Sequence, residues 1–335
     1  MMIWFTWRQF RAQTVVAAGA IAALGVLLLA TAHIITDLYA DVAACTAGCD
    51  GAVHTFLTRF HDSAAFPVYL TGLVSAYALP PLLGVFWGAP LIARELETGT
   101  YRLAWNQSVT RTRWLAGRLL FGGAVTAAGS GLLSLAVTVW SRHVDVVSKD
   151  RIQPLLYGSR GLVPIGYAVF AFVLGVTIGM LLRRVVPAMA TTLAAYAAVA
   201  VAMPLWVRTH LVAAVRESTP LTADDIQGLS FSPSKGTMSV RGADVEGAWT
   251  VSTGTFRADG SVFTGPGDPV ACGMQTGGSP SRCGEWLATQ HLHLDRVYHP
   301  DSQFWSLQWA ETGLFLGLAA LLAGFCFWWV RQRVV

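Results

Sequence analysis

From Ile92 the chain reads Ile-Ala-Arg-Glu-Leu-Glu-Thr-Gly-Thr-Tyr-Arg-Leu-Ala-Trp, ending at Trp105. The charges of Arg94, Glu95 and Glu97 come directly off an apolar helix, and Gly99-Thr100 breaks it. Tyr101 to Trp105 can then form one short amphipathic turn along a membrane surface, before Ser108 or Thr110 caps the next helix. The work open to such an element is mechanical. A short rigid piece rooted in two apolar helices can dock in a groove of a soluble partner and transmit its motion. The same residues also suit an ordinary charged loop that sits in water.

Other groups able to do chemistry are sparse. His291, His293, Asp295 and His299 gather before the last apolar run, and an H-x-H pair puts both imidazoles on one face of a strand. No ordered ligand set completes a metal site there, and a wet interfacial segment holds histidine equally well. The five cysteines form two close pairs, Cys45 with Cys49 and Cys272 with Cys283, plus Cys326 inside an apolar run. Both pairs fall in stretches assigned below to the outside of the cell, where disulfides persist, so a disulfide is expected within each. Cys326 reads as a small buried hydrophobe.

ATP hydrolysis through a P-loop is excluded by the placing of the lysines. A P-loop needs Lys beside Ser or Thr at the end of a glycine loop to reach the β/γ-phosphates, and the only lysines are Lys149 and Lys235, neither preceded by Gly. There is no H-E-x-x-H helix, and His33 is the only histidine within an apolar span. No catalytic residue, metal or cofactor is therefore assigned to this chain.

The elements that position these residues are apolar helices. The 335 residues are 54% hydrophobic and 13% charged, about half the charge a soluble domain carries, so much of the surface faces lipid. Six stretches are long enough to cross a bilayer: Thr14 to Ile35, Val68 to Ala93 with a kink expected at Pro80-Pro81, Trp114 to Trp140, Leu162 to Leu182, Val185 to Val207, and Leu307 to Val330. Glu311 lies one turn into the last of these. An ionisable group inside a membrane is functional by default, but this shallow depth favours an interfacial carboxylate.

Orientation follows from Lys and Arg. With the N-terminus inside, Arg8, Arg11, Arg94, Arg102, Arg111, Arg113, Arg118, Arg183, Arg184, Arg331 and Arg333 are cytoplasmic, at far higher density than the rest of the 23 basic residues. Both termini then lie in the cytoplasm of a plasma-membrane protein, and the net charge of +4 is a topology signal rather than a nucleic-acid footprint. The expected organisation is a cytoplasmic amphipathic segment (1–13), five spans with a coupling segment at 94–112 (14–207), an extracellular insert (208–305), and the sixth span with a basic tail (306–335). The insert is rich in Gly, Ser, Thr and Pro and carries alternating runs. Asp259-Gly260 signals a hairpin in a small β-containing domain.

The run Ile92 to Ala104, followed by Arg111-Thr-Arg-Trp-Leu, resembles the cytoplasmic segment of type-2 ABC transporter permeases. The six-span order, the amphipathic aromatic N-terminus and the loop before the last span are similar too. The two extracellular segments are longer than that family's. The resemblance implies an all-α membrane protein with six transmembrane helices and a cytoplasmic coupling helix. It implies that Glu95, Glu97, Gly99, Thr100, Tyr101 and Arg102 contact or couple to a separate ABC ATPase, present in two copies, which holds the ATP and Mg. It further implies a second permease copy across a seam of the first, second and fifth spans, with Tyr69, Tyr77, Phe86, Trp87 and Met203 as candidate pathway residues. The expected function is export of a hydrophobic or amphipathic substrate such as a drug, lipid or peptide. The rival is a non-transporting membrane sensor or immunity protein with an extracellular ligand-binding domain.

Overall fold

The computed structural model describes residues 2–99, 110–221, 229–232, 237–240, 245–263, 270 and 279–332. It falls into two compact units, one of residues 1–211 with 305–335 and one of residues 212–304. The first is helical and the second carries the strands.

Six helices are long and apolar enough to cross a membrane: Ala18–Ala43, Ala65–Thr98, Arg111–Ser148, Val163–Leu182, Val185–Leu211 and Asp301–Gln332. They are called the first to sixth spans here. Three of their boundaries have a physical reason in the residues found there. The second stops at Gly99, whose left-handed φ of 72° suits a residue without Cβ. The third opens on Thr110, whose side chain accepts a hydrogen bond from the Arg113 N–H at 3.3 Å. The fifth continues past Val207, its expected end, because Arg208 is paired inside the unit rather than in water. Between the first two spans, the Cys45–Cys49 disulfide closes a turn that leads into the helix Asp50–Asp62. Phe56 and Phe60 of that helix are buried beside Tyr69, Trp140 and Leu28.

Pro80 and Pro81 lie inside regular helix, and the irregularity comes just after them as a π-helical turn at Gly84–Gly88. This turn is where the second span meets the fourth. A Cβ on Gly84 would lie 2.6 Å from the Ala171 carbonyl oxygen, and one on Gly88, Gly175 or Gly179 would also strike backbone of the facing helix. Small residues thus let the two backbones touch, the usual basis of close packing between membrane helices. The fourth span is central, with 61% of its most apolar window buried against 17% in the first and fifth.

The second unit holds a three-stranded antiparallel sheet in the order β1 (Val215–Pro220), β5 (His293–Pro300), β4 (Ala248–Phe256), and a two-stranded ladder of β2 (Leu229–Ser232) with β3 (Thr237–Val240). After β4 the chain turns back at Asp259-Gly260, where Phe256 bridges Val262 and Gly260 takes a φ of 81°. The Ser261 hydroxyl and backbone N–H hold the Asp259 carboxyl below the usual carboxylate range. Phe263, Leu287 and Leu292 make a small apolar core in this unit.

Candidate functional site

The segment singled out by its charges is braced on both sides. Glu95 and Arg118 are almost fully buried and face one another across the second and third spans, joined by an Arg118 Nη2 to Glu95 Oε1 ion pair. Arg118 Nη1 donates to the Leu91 carbonyl at 3.0 Å, and the guanidinium lies 4.8 Å from the Trp114 ring centre. Each end of the intervening segment is therefore rooted in the same ion pair. Glu97 is exposed, and its Oε2 accepts the Val185 N–H at 2.9 Å, capping the start of the fifth span. Thr98 donates to the Arg94 carbonyl at 2.9 Å, and Gly99 ends the helix. Thr100, Tyr101 and Arg102, with the turn expected up to Trp105, lie outside the described residues.

A second polar assembly sits at the other end of the spans. Arg208 of the fifth span and Glu311 of the sixth form a two-pronged pair, Nε to Oε2 at 2.8 Å and Nη2 to Oε1 at 3.0 Å, with exposures of 3% and 0%. The Tyr167 hydroxyl donates to Glu311 Oε1 at 2.8 Å, and the Arg208 guanidinium lies 4.5 Å from the Tyr157 ring centre. Glu311 is thus a buried partner of a cation and not the interfacial carboxylate its shallow position suggested. Nearby, Arg160 grips Asp145 through Nε at 3.1 Å and Nη2 at 3.2 Å, and the Ser141 hydroxyl donates to the same carboxylate at 3.1 Å. Just outside the third span, burial and then the charge of Asp145 push the Asp150 carboxyl above the usual range.

The candidate pathway residues are not gathered in one place. Tyr69 is buried 6.2 Å from Trp140, with the Arg160 guanidinium 5.5 Å from its ring centre. The Tyr77 hydroxyl donates to the Leu155 carbonyl at 2.8 Å, and Met203 is buried in the π-helical turn of the fifth span. Phe86 and Trp87 line a groove of about 660 Å³ between the first and second spans, with Leu24, Val74, Leu79 and Leu82 among the other walls.

Of the cysteines, Cys45 and Cys49 are bonded to each other, Cys283 is disulfide-bonded, and Cys272 lies outside the described residues. Cys326 is buried, 3.2 Å from the Thr177 hydroxyl. The histidines disperse. His291 precedes β5 in a left-handed conformation with φ of 47°, so the H-x-H pair does not share a strand. His293 stacks on Phe256 and lies 3.9 Å from Asp295. His299 is buried against Trp249, its Nδ1 2.8 Å from Gln303 Oε1. Among the described residues, no group of three or more His, Cys, Asp or Glu is placed to hold a metal ion.

The pairings of Arg118 with Glu95, Arg160 with Asp145 and Arg208 with Glu311, and the backbone contacts of Gln308, were not expected from the sequence. The available signal was the rarity of charge in apolar runs: an isolated Arg or Asp within or beside a span needs a buried partner. Residues 18–208 match the family model described as ABC-2 membrane transporter related. No curated protein and no solved structure gives a significant match.

Proposed function

We propose, from the premise that this chain belongs to the ABC-2 membrane transporter related family, that it is the permease subunit of an ATP-driven exporter. As a member of that family it is a multi-pass membrane protein and a transport component that is not itself catalytic. The finer reading is that both termini face the cytoplasm of the plasma membrane and that a separate ABC ATPase, in two copies with ATP and Mg, docks on the segment 94–112. A second copy of this chain completes the pathway. The substrate is hydrophobic or amphipathic, and the unit of residues 212–304 stands outside the cell.

The observation that carries this reading is the buried Glu95–Arg118 pair. A loop that only had to connect two spans would not need its flanking helices joined by charges withdrawn from water, since burying such a pair is costly. A loop that must receive force does. Push on the segment, and the second and third spans move together through the brace. Glu97, bound to the start of the fifth span, extends the linkage to a further helix.

Affinity purification of the full chain from its native membrane tests the proposal. A stoichiometric ABC ATPase is expected, with hydrolysis stimulated in lipid by apolar or amphipathic compounds. Tyr101→Ala and Arg102→Ala are expected to lose that stimulation while the chain still inserts and folds. Recovery of a kinase instead, or of no ATPase under conditions that preserve other membrane complexes, overturns it in favour of the sensor.

A further inference from the structure

One loop of the membrane unit is bonded to five of its six spans. Residues 154–164 comprise the latter part of the link between the third and fourth spans and the first two residues of the fourth, and connecting segments ordinarily run over the surface. This one is buried from Tyr157 to Arg160, with Tyr157, Ser159 and Arg160 0%, 0% and 1% exposed, while Leu155 is exposed. From the second span, the Tyr77 hydroxyl donates to the Leu155 carbonyl at 2.8 Å. From the third, Ser130 and Ser134 donate to the Pro164 and Gly161 carbonyls at 2.9 and 2.7 Å, Thr138 accepts the Gly161 N–H at 3.2 Å, and Asp145 holds Arg160. The fourth span grows directly out of the loop. From the fifth, Arg208 donates to the Pro154 carbonyl at 3.3 Å while paired with Glu311. From the sixth, Gln308 accepts the N–H groups of Leu162 and Val163 at 2.8 and 2.9 Å and donates to the Tyr157 carbonyl at 3.3 Å.

The first span is held differently. Its Thr31 and Thr36 hydroxyls return to carbonyls of their own helix, and among the described residues its side chains make no hydrogen bond to another span. It packs against the other spans through apolar contacts, with one ring contact between Tyr39 and His143, and its one ion pair, Asp41 with Arg59 at 3.9 Å, is solvent-exposed and reaches the helix Asp50–Asp62 rather than another span. A groove of about 660 Å³ runs beside the first span, bordered by Leu24 and by Leu79 and Phe86 of the second.

We infer that spans two to six move as one block, held by the loop at 154–164, and that the first span is the helix that shifts against it. The physical ground is the difference between the two kinds of contact. Interhelical hydrogen bonds and charge pairs inside a membrane have fixed geometry, so displacing them exposes polar groups to hydrocarbon. Apolar contacts between helices can be exchanged for apolar contacts with lipid, because lipid tails are as apolar as the side chains they replace. The inference concerns motion in the chain itself and stands whether or not the chain exports.

Pulsed electron-electron distance measurements on the full chain in lipid nanodiscs test it, with Cys326→Ala removing the free thiol. Spin labels at Val146→Cys and Ser306→Cys report the third span against the sixth. Labels at Asp37→Cys and Val146→Cys report the first against the third. All three positions are exposed. The first pair is expected to give a narrow distance distribution and the second a clearly broader one. Gln308→Ala and Arg160→Gln are each expected to broaden the 146–306 distribution and leave the 37–146 distribution unchanged. Gln308→Ala is the milder change, so it still reads the hub if Arg160→Gln fails to fold. Equal widths for the two pairs overturn the inference, as does a 146–306 distribution that stays narrow in the folded hub variants.

Discussion

Replacing Glu311 by alanine is expected to destabilise the membrane unit by about 3–5 kcal/mol, the cost of stranding a buried charge by removing its partner. Arg208 is 3% exposed, so its guanidinium has no route to water once the carboxylate is gone. Tyr167 loses its acceptor in the same substitution. The remaining contacts of Arg208, one carbonyl at 3.3 Å and the face of Tyr157, carry no compensating negative charge. Thermal unfolding in detergent, followed by loss of monodisperse protein on size exclusion, measures the effect. The double change Arg208→Met with Glu311→Leu is expected to recover most of the loss, since replacing both members of a buried pair by apolar residues of similar size is often close to neutral. If Glu311→Ala is as stable as the wild type, the pair is not buried in the folded protein.

Removing Glu95 is expected to have a comparable cost and a second consequence. Glu95→Ala leaves Arg118 buried with the Leu91 carbonyl and the Trp114 ring, again a loss of about 3–5 kcal/mol for an unpaired buried charge. The milder Glu95→Gln keeps the shape and one acceptor while removing the charge, so it is expected to fold. Its value lies in separating packing from force transfer. In the purified complex, Glu95→Gln should retain ATP hydrolysis but lose much of the coupling between hydrolysis and substrate movement, because the two roots of the segment no longer move as one. Transport per ATP in proteoliposomes reads this directly. Unchanged coupling would mean that the brace is architectural only.

What was legible in the sequence divides along a physical line. Spans are legible because a run of about 20 apolar residues has few other homes, and the six helices fall where the apolar runs do. Local terminators were legible for the same reason: Gly99, Thr110 and Asp259-Gly260 act through their own backbone or the next few residues. The Cys45–Cys49 bridge belongs with them, being closed within one turn of chain. Pairing across the helices was not legible. Glu311 and Arg208 are 103 residues apart, and no local pattern says which cation a carboxylate will meet. Depth alone suggested an interfacial group, and the partner decided otherwise. The partly buried loop at 154–164 was hidden more deeply. Its composition reads as an ordinary connection, and its place as a hub depends on hydroxyls of Ser130, Ser134 and Thr138 that look from sequence like small packing residues. The π-helical turn after Pro80-Pro81 likewise depends on the backbone of the fourth span, which the second span's sequence does not contain.

Sidedness of the Thr98 turn tests the account most directly, because a docking segment for a nucleotide-driven partner has to face the cytoplasm. Thr98 is exposed at the last turn of its helix, so a cysteine there is open to reagent without disturbing the Glu95 brace. In intact cells carrying Thr98→Cys, a membrane-impermeant maleimide is expected to leave that cysteine unmodified and to label it only after the membrane is opened. Efficient labelling in intact cells would put the segment outside and contradict the account.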